Sequence, residues 1–300
     1  MDQLRAAIFG FCVGDALGVP VEFEERDTFQ ITEMVGYRSW NVPAGSWSDD
    51  SAMMFCTMEH FVEQSDLDAL KEKFCDWRYR GYWTHDNEPT FDIGITISEV
   101  IQRWEFYGYL EKACDIEQSN GNGALMRILP LAFEVKKRGL VGDDLFDFVK
   151  SYATLTHGHI RSTLACAHYI YVARGLLEGD GFIVAFNRAN AMLQQKLLAY
   201  PKEGKHFFRF ANLQNTSRES IHSSGYVIDT IEAVYWSLLH TKSYEEAVLK
   251  GIHLGNDTDT IGALIGGLAG IMYGYNSIPE RWLNELAKGE GIEDLIRRFE

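Results

Sequence analysis

The sequence predicts an all-α fold built as one multi-helix body. Three observations predict it. Apolar residues recur at helical spacing along most of the chain. Strand signals are scarce, and only Gln30–Val35 has the makings of a short one. A hydrophobic fraction of 46% with only 6 prolines excludes a disordered chain and supplies enough apolar side chains for a sizeable core. The elements follow in order. Leu4, Ile8, Phe11 and Cys12 share one face of a first helix. Helices at 52–61 and 67–77 each follow a capping residue, Ser51 or Asp49 for one and Ser65 or Asp66 for the other. Further helices are predicted at 94–106, 123–136, 143–154, 160–177, 181–198, 226–240, 244–251, 259–273, 279–287 and 292–299. Helix following helix with short polar turns argues an all-α globule. No Pro/Ser-rich linker and no internal repeat divides the 300 residues. One long irregular stretch, 200–225, is locally basic through Lys202, Lys205, Arg209 and Arg218. Its aromatics Phe207, Phe208 and Phe210 are expected to dock it on the body.

The formal net charge is -15. So acidic a surface repels phosphate backbones and anionic lipid, so neither nucleic acid nor a membrane surface is expected as a partner by bulk charge. An anionic small molecule would need local help from cations, helix N-termini or a few placed arginines. Cys12, Cys56, Cys75, Cys114 and Cys166 form no CxxC pair, and their number is odd. Reduced thiols in a cytoplasmic protein are the simple reading. The first twenty residues make a poor signal peptide, because Asp15 interrupts the apolar run. No stretch is expected to reach transmembrane length; the best candidate, Ile261 to Tyr273, is short and Gly-rich.

Four segments place carboxylates, hydroxyls and glycines near predicted helix starts. They are 14–22, beginning Gly14-Asp15-Ala16-Leu17-Gly18 and ending at Glu22; Ser48-Asp49-Asp50-Ser51; 120–127, containing Gly121-Asn122-Gly123; and 255–262, containing Asp257-Thr258-Asp259-Thr260. Helix capping accounts for one Asp at a helix start. The Asp-Thr-Asp-Thr cluster is less ordinary, because it opens a helix carrying Gly262, Gly266, Gly267 and Gly270 that can pack very close to neighbours. Charges at the mouth of a buried helix need partners. Two contacting like charges repel by on the order of 4 kcal/mol at intermediate dielectric. Four aspartates brought together would therefore take up protons or bind hard divalent cations such as Mg²⁺ or Mn²⁺. The loop at 257 is no EF-hand, since its twelfth position is Leu268. The Gly121–Gly123 segment is no dinucleotide fingerprint, since no strand precedes it and Met126 takes the third glycine slot. It reads equally as an anion nest, with Arg127 close behind, or as a plain turn. The His157/His159 pair lacks the further ligands of a zinc site and reads as capping. Cys166 near His168 is a helical coincidence.

In this order, and together with Asp92-Ile93-Gly94, Thr156-His157 and Gly225-Tyr226-Val227, these segments resemble the ADP-ribosylglycohydrolase family. That family includes enzymes that remove ADP-ribose from arginine on dinitrogenase reductase. The resemblance spans nearly the whole chain and implies a single domain over 1–300, with two Mg²⁺ or Mn²⁺ ions at the base of a cleft. It implies Ser48, Asp49, Asp50, Asp257, Asp259 and Thr260 as metal ligands, and Glu22 and Asp92 as the catalytic carboxyls. Gly121, Asn122, Gly123, Ala124, Met126, Arg127, His157 and Tyr226 would bind substrate. The family usually has Thr where Ser48 stands, and the oxygen is kept. A proline common after the Thr-His pair is replaced near Ile160.

The charges then suggest the chemistry. Two cations would hold the ribose hydroxyls and orient a water, carboxylates would stabilise oxocarbenium character, and Glu22 or Asp92 would handle protons. The expected reaction is hydrolysis of the bond between ADP-ribose and a modified side chain, most readily arginine. Two alternatives stay open: a small ADP-ribosylated metabolite such as O-acetyl-ADP-ribose as substrate, or a non-catalytic ADP-ribose-binding or structural member of the family.

Overall fold

The architecture is set by how closely two helices from opposite ends of the chain approach each other. The computed structural model describes residues 2–109, 113 and 115–300. Its helices are α1 (Asp2–Gly18), α2 (Asp49–Glu63), α3 (Leu67–Arg80), α4 (Ile95–Tyr107), α5 (Pro130–Arg138), α6 (Gly142–Ala153) and α7 (Ile160–Leu177). They continue with α8 (Phe182–Ala199), α9 (Gly204–Phe207), α10 (Val227–Leu239), α11 (Tyr244–Ile252), α12 (Thr258–Tyr273), α13 (Glu280–Glu285) and α14 (Gly289–Phe299). Among the described residues there is no strand, only one bridge between Gly121 and Tyr226.

α1 and α12 run antiparallel and meet along glycines spaced by four. A Cβ at Gly10 would lie 2.4 Å from the Gly266 carbonyl oxygen, and one at Gly14 would lie 2.0 Å from that of Gly262. At Gly18 it would meet the Asp259 Cα at 2.4 Å. Real Cβ atoms do not come that near, so only glycine permits this contact. The seam sets the C-terminal end of α1, and with it Asp15 and Glu22, beside the N-terminal end of α12. Thr258 Oγ1 donates to the Gly18 carbonyl at 2.8 Å across the same junction. Around this pair one apolar core gathers side chains from α2 to α8, α10, α11 and α14.

Several expectations need correction. Asp2–Val21 is long and apolar enough to span a bilayer, contrary to the reading that no such stretch exists, and 94% of its apolar window is buried among the other helices. Its apolarity is that of a helix surrounded on all sides. Gln30–Val35 is not a strand. Its backbone is used by side chains instead, with Ile31 N donating to His253 Nε2 and Thr32 O accepting from Trp282 Nε1. The helix expected over 123–136 starts only at Pro130. Proline lacks an N–H and fits the first turn, so the chain at 123–127 makes turns instead. α2 is capped by Ser48, not by Ser51 or Asp49. α3 is capped by Asp66. The basic stretch at 200–225 is mostly short 3-10 turns pinned by buried Phe207 and Phe210, while Phe208 stays exposed. Cys12, Cys56, Cys75 and Cys166 are unpaired; Cys114 lies outside the described residues.

Candidate active site

A cleft of about 750 Å³ opens where the N-terminal ends of α2, α4 and α12 converge. Glu22, Asp49, Asp92, Asp257, Asp259 and Thr260 line its floor. Gly121, Asn122, Gly123, Met126 and His157 line one wall, while Ile93 to Ile97 line another. Ser48 and Asp50 are buried just beneath the floor.

The two acidic segments from distant parts of the chain do meet. Thr260 Oγ1 donates to Asp50 Oδ2 at 3.2 Å, a contact across 210 positions. Ser48 Oγ donates to the same oxygen at 3.2 Å. The other oxygen, Asp50 Oδ1, is buried with no hydrogen-bond partner. A carboxylate with one oxygen doubly served and the other orphaned in a protein interior is aimed at something that is not protein. Glu22, Asp92 and Asp259 each bring an oxygen within 4.8 Å of the others. That set joins Asp259, expected as a ligand, to both residues expected to be catalytic. The donors are hard oxygens throughout, with hydroxyls and carboxylates mixed, and they fit Mg²⁺ or Mn²⁺ rather than a thiophilic ion.

Electrostatics agree. Burial, with the neighbouring carboxylates, pushes Asp49, Asp50 and Asp259 well above the usual carboxylate range. Burial and the charges of Asp92, Asp257 and Asp15 push Glu22 up to about 9, against the lowering effect of Trp40. Burial pushes Asp92 up to about 6. Such a cluster holds protons when left alone, and a cation relieves the same repulsion.

Second-layer contacts fix these groups. Trp40 Nε1 donates to Glu22 Oε2 at 2.5 Å. Asn122 Nδ2 donates to Asp257 Oδ2 at 2.6 Å. The loop after Glu22 is tied to the segment before α12 by reciprocal bonds, Phe23 N to Asn256 O at 2.7 Å and Asn256 N to Glu24 O at 2.8 Å. Both Phe23 and Asn256 adopt positive φ, which is unusual for a phenylalanine and marks a loop held by its surroundings.

Sequence reasoning quoted Asp15 but gave it no role. It is fully buried in α1 and caps α2 from outside, accepting from Ser48 N at 3.0 Å, Ser51 N at 3.0 Å and Ser51 Oγ at 2.6 Å. The available signal was a lone acid inside an otherwise apolar helix. Also missed was the start of α4: Gly94 provides no side-chain cap for its first N–H groups, and Ile95 and Thr96 line the cleft. The Gly121–Gly123 turn offers the same chemistry, because Gly123 N makes no hydrogen bond within the described protein.

Three expected substrate contacts do not line the cleft. Ala124 is buried behind it. Tyr226 is half-buried, its hydroxyl paired with His206 Nδ1 at 3.1 Å and its ring facing Arg161. Arg127 is completely buried, donates to Tyr152 O and Thr156 Oγ1, and lies over the Phe74 ring. It touches no point from which an anion in the cleft could be reached. The capping reading fails for His157, which caps no helix among the described residues and lines the cleft with Nδ1 against Thr156 Oγ1. His159 caps α7 by accepting from Arg161 N, and His168 is engaged by Tyr235 and Asn190.

Residues 1–300 match the profile of the ADP-ribosylglycohydrolase family along their whole length. The chain belongs to that family. The ADP-ribosylglycohydrolase chain is 30% identical over 301 residues to an ADP-ribosylarginine hydrolase, Tri1, of Serratia proteamaculans, covering 100% of this chain and 79% of the relative. It is 29% identical over 307 residues to an ADP-ribosyl-[dinitrogen reductase] glycohydrolase of Rhodospirillum rubrum, covering 99% of this chain and 94% of the relative. Among solved structures it superposes on a chain described as an ADP-ribosylglycohydrolase-related protein complex with a TM-score of 0.77 at 27% identity, covering 99% and 96% of the two chains. The all-α expectation and the family resemblance both stand.

Proposed function

We propose that this ADP-ribosylglycohydrolase is a divalent-metal-dependent hydrolase that releases ADP-ribose from modified arginine, and that it works in the cytoplasm. The observation that carries the metal dependence is the orphaned Asp50 Oδ1 beside the Thr260 contact. Ser48, Asp49, Asp50, Asp257, Asp259 and Thr260 would hold two Mg²⁺ or Mn²⁺ ions, with Glu22 and Asp92 close by. When bound, the ions supply positive charge for the ribose hydroxyls and the attacking water. The arginine leaving group is supported by the name of the Serratia proteamaculans relative and by the chemistry of the floor, where the Asp92 carboxylate suits a cationic guanidinium. The pyrophosphate would be met by N–H groups at the start of α4 and at Gly123.

Two carboxyls are available to hold protons beside the proposed cation site. Trp40 occupies Glu22 Oε2, so a proton on Glu22 resides on Oε1. Glu22 holds its proton more tightly than Asp92, about 9 against about 6. Glu22 and Asp92 would be the carboxyls that carry protons to the leaving nitrogen and from the attacking water.

A parallel release assay on ADP-ribosyl-arginine, ADP-ribosyl-serine and O-acetyl-ADP-ribose tests the substrate. Arginine is expected to be turned over at least about tenfold faster than either of the others. A preference for O-acetyl-ADP-ribose would overturn the arginine reading. Stability against pH tests the metal. Asp15, Asp92 and Glu22 all bind protons more tightly folded than unfolded, with Asp15 also pushed up to about 6 by burial. Their stabilising contribution is complete below the ordinary carboxylate range and is lost as pH rises through about 6 and then about 9. The melting temperature of chelator-treated protein is expected to fall over that window. Mg²⁺ or Mn²⁺ should restore it, and by more at pH 8 than at pH 5. A cation response that is absent or independent of pH would count against the metal site.

A further inference from the structure

We propose that Arg127 and Thr156 are positioning residues that lock His157 in the neutral Nε2–H tautomer, so that the cleft wall presents a fixed hydrogen-bond donor. The argument begins with a group that can only donate. Arg127 is fully buried and has no carboxylate partner among the described residues; its Nη2 donates to Thr156 Oγ1 at 2.9 Å and to Tyr152 O at 3.0 Å, while Nε and Nη1 find no acceptor there. The guanidinium keeps its charge, with burial pushing it down only to about 10. Thr156 Oγ1 must therefore accept from it. Thr156 is also fully buried, and among the described residues the one acceptor within reach of its own hydroxyl hydrogen is His157 Nδ1, at 2.9 Å. A nitrogen that accepts carries no proton, so in the neutral ring the hydrogen sits on Nε2.

The rest of the site is consistent with that direction. Burial, and then the Arg127 charge, push the His157 imidazolium down to about 3, so the ring is neutral at working pH. Nε2 has no acceptor among the described residues. It lies against the glycine turn of the cleft wall, 3.6 Å from where a Cβ on Gly121 would stand. The ring carbon next to it would come within 2.9 Å of a Cβ on Gly123. Gly123 thus leaves room for the ring edge that carries the donor, and an anionic or hydroxyl oxygen of the ligand is its natural acceptor. That last step rests on the reading of the cleft as an ADP-ribose site. The relay also gives the buried cation a purpose: Arg127 acts on the cleft through two hydrogen bonds and not by touching an anion.

The test uses the full-length protein with Mg²⁺ and reads the side-chain ¹⁵N resonances of His157, assigned by their loss in His157→Gln. Wild type and Thr156→Ser, which keeps the hydroxyl, are expected to show Nε2–H. Thr156→Val, which removes it, is expected to show the Nδ1–H form or a mixture, with ADP-ribose affinity by calorimetry weakened about tenfold. Arg127→Met is a second variant, expected to lose the pure Nε2–H signature if it folds. An Nδ1–H signal in wild type, or an unchanged tautomer in Thr156→Val, would overturn the relay. Failure of wild type to bind ADP-ribose would instead strike the functional reading, and the resonances would still decide the tautomer.

Discussion

Replacing Asp257 or Asp50 by alanine is expected to reduce ADP-ribose release by at least about a thousandfold while the helical signal is kept. Asp50 is buried and Asp257 half-buried at the acidic floor, and each is already oriented by a neutral donor, Asn122 for Asp257 and the Ser48 and Thr260 hydroxyls for Asp50. Neither residue is needed to hold the core. Removing one carboxylate also relieves repulsion that burial makes severe, so the metal-free variants should melt no lower than metal-free wild type. The combination of lost turnover, retained fold and lost cation-dependent stabilisation is what distinguishes a ligand from a structural residue. Turnover within about tenfold of wild type in either variant would sink the assignment.

Gly262→Val is expected to be the most damaging single change to stability, by more than about 3 kcal/mol in urea unfolding. A Cβ at Gly262 would lie 2.4 Å from the Gly14 carbonyl oxygen, and the obstacle is backbone, which cannot swing aside. α1 and α12 would have to separate. That would carry Asp15 and Glu22 away from Asp257 and Asp259, so any folded remainder should also have lost activity. Gly289→Ala provides the control, since nothing lies within 4 Å of its added carbon. It should stay within about 0.5 kcal/mol of wild type. A Gly262→Val protein with an unchanged midpoint would show that the helices tolerate a wider spacing and that the seam does not set the site.

Much of this was legible in the sequence because it was local. The helical periods located most elements, and acids beside hydroxyls at helix starts marked the floor of the cleft. What failed was non-local. Arg127 follows a glycine turn, so its chain position suggests an anion contact, but only the packing of α6 and α3 shows that it points away from the cleft toward Tyr152 and Phe74. The Ile31 segment has strand-forming residues, yet among the described residues there is no neighbouring strand for it to pair with, and side chains from far along the chain take its backbone groups. Asp15 looked like part of a motif, and its task became visible only once Ser48 and Ser51 were brought within hydrogen-bonding range. The early start of the 123–136 helix was a misreading that Pro130 could have prevented.

The pairing of α1 with α12 has a consequence for biosynthesis. The acidic floor takes Glu22 and Asp49 from the first fifty residues, Asp92 from farther along, and Asp257, Asp259 and Thr260 from around position 260. A ribosome-bound chain therefore possesses no complete cage until almost all of it has emerged, and long-range closure of this kind is slow. On the proposed function, divalent-ion capture would report completed folding, and polypeptides arrested before Thr258 should remain unable to sequester the ion however helical they have become.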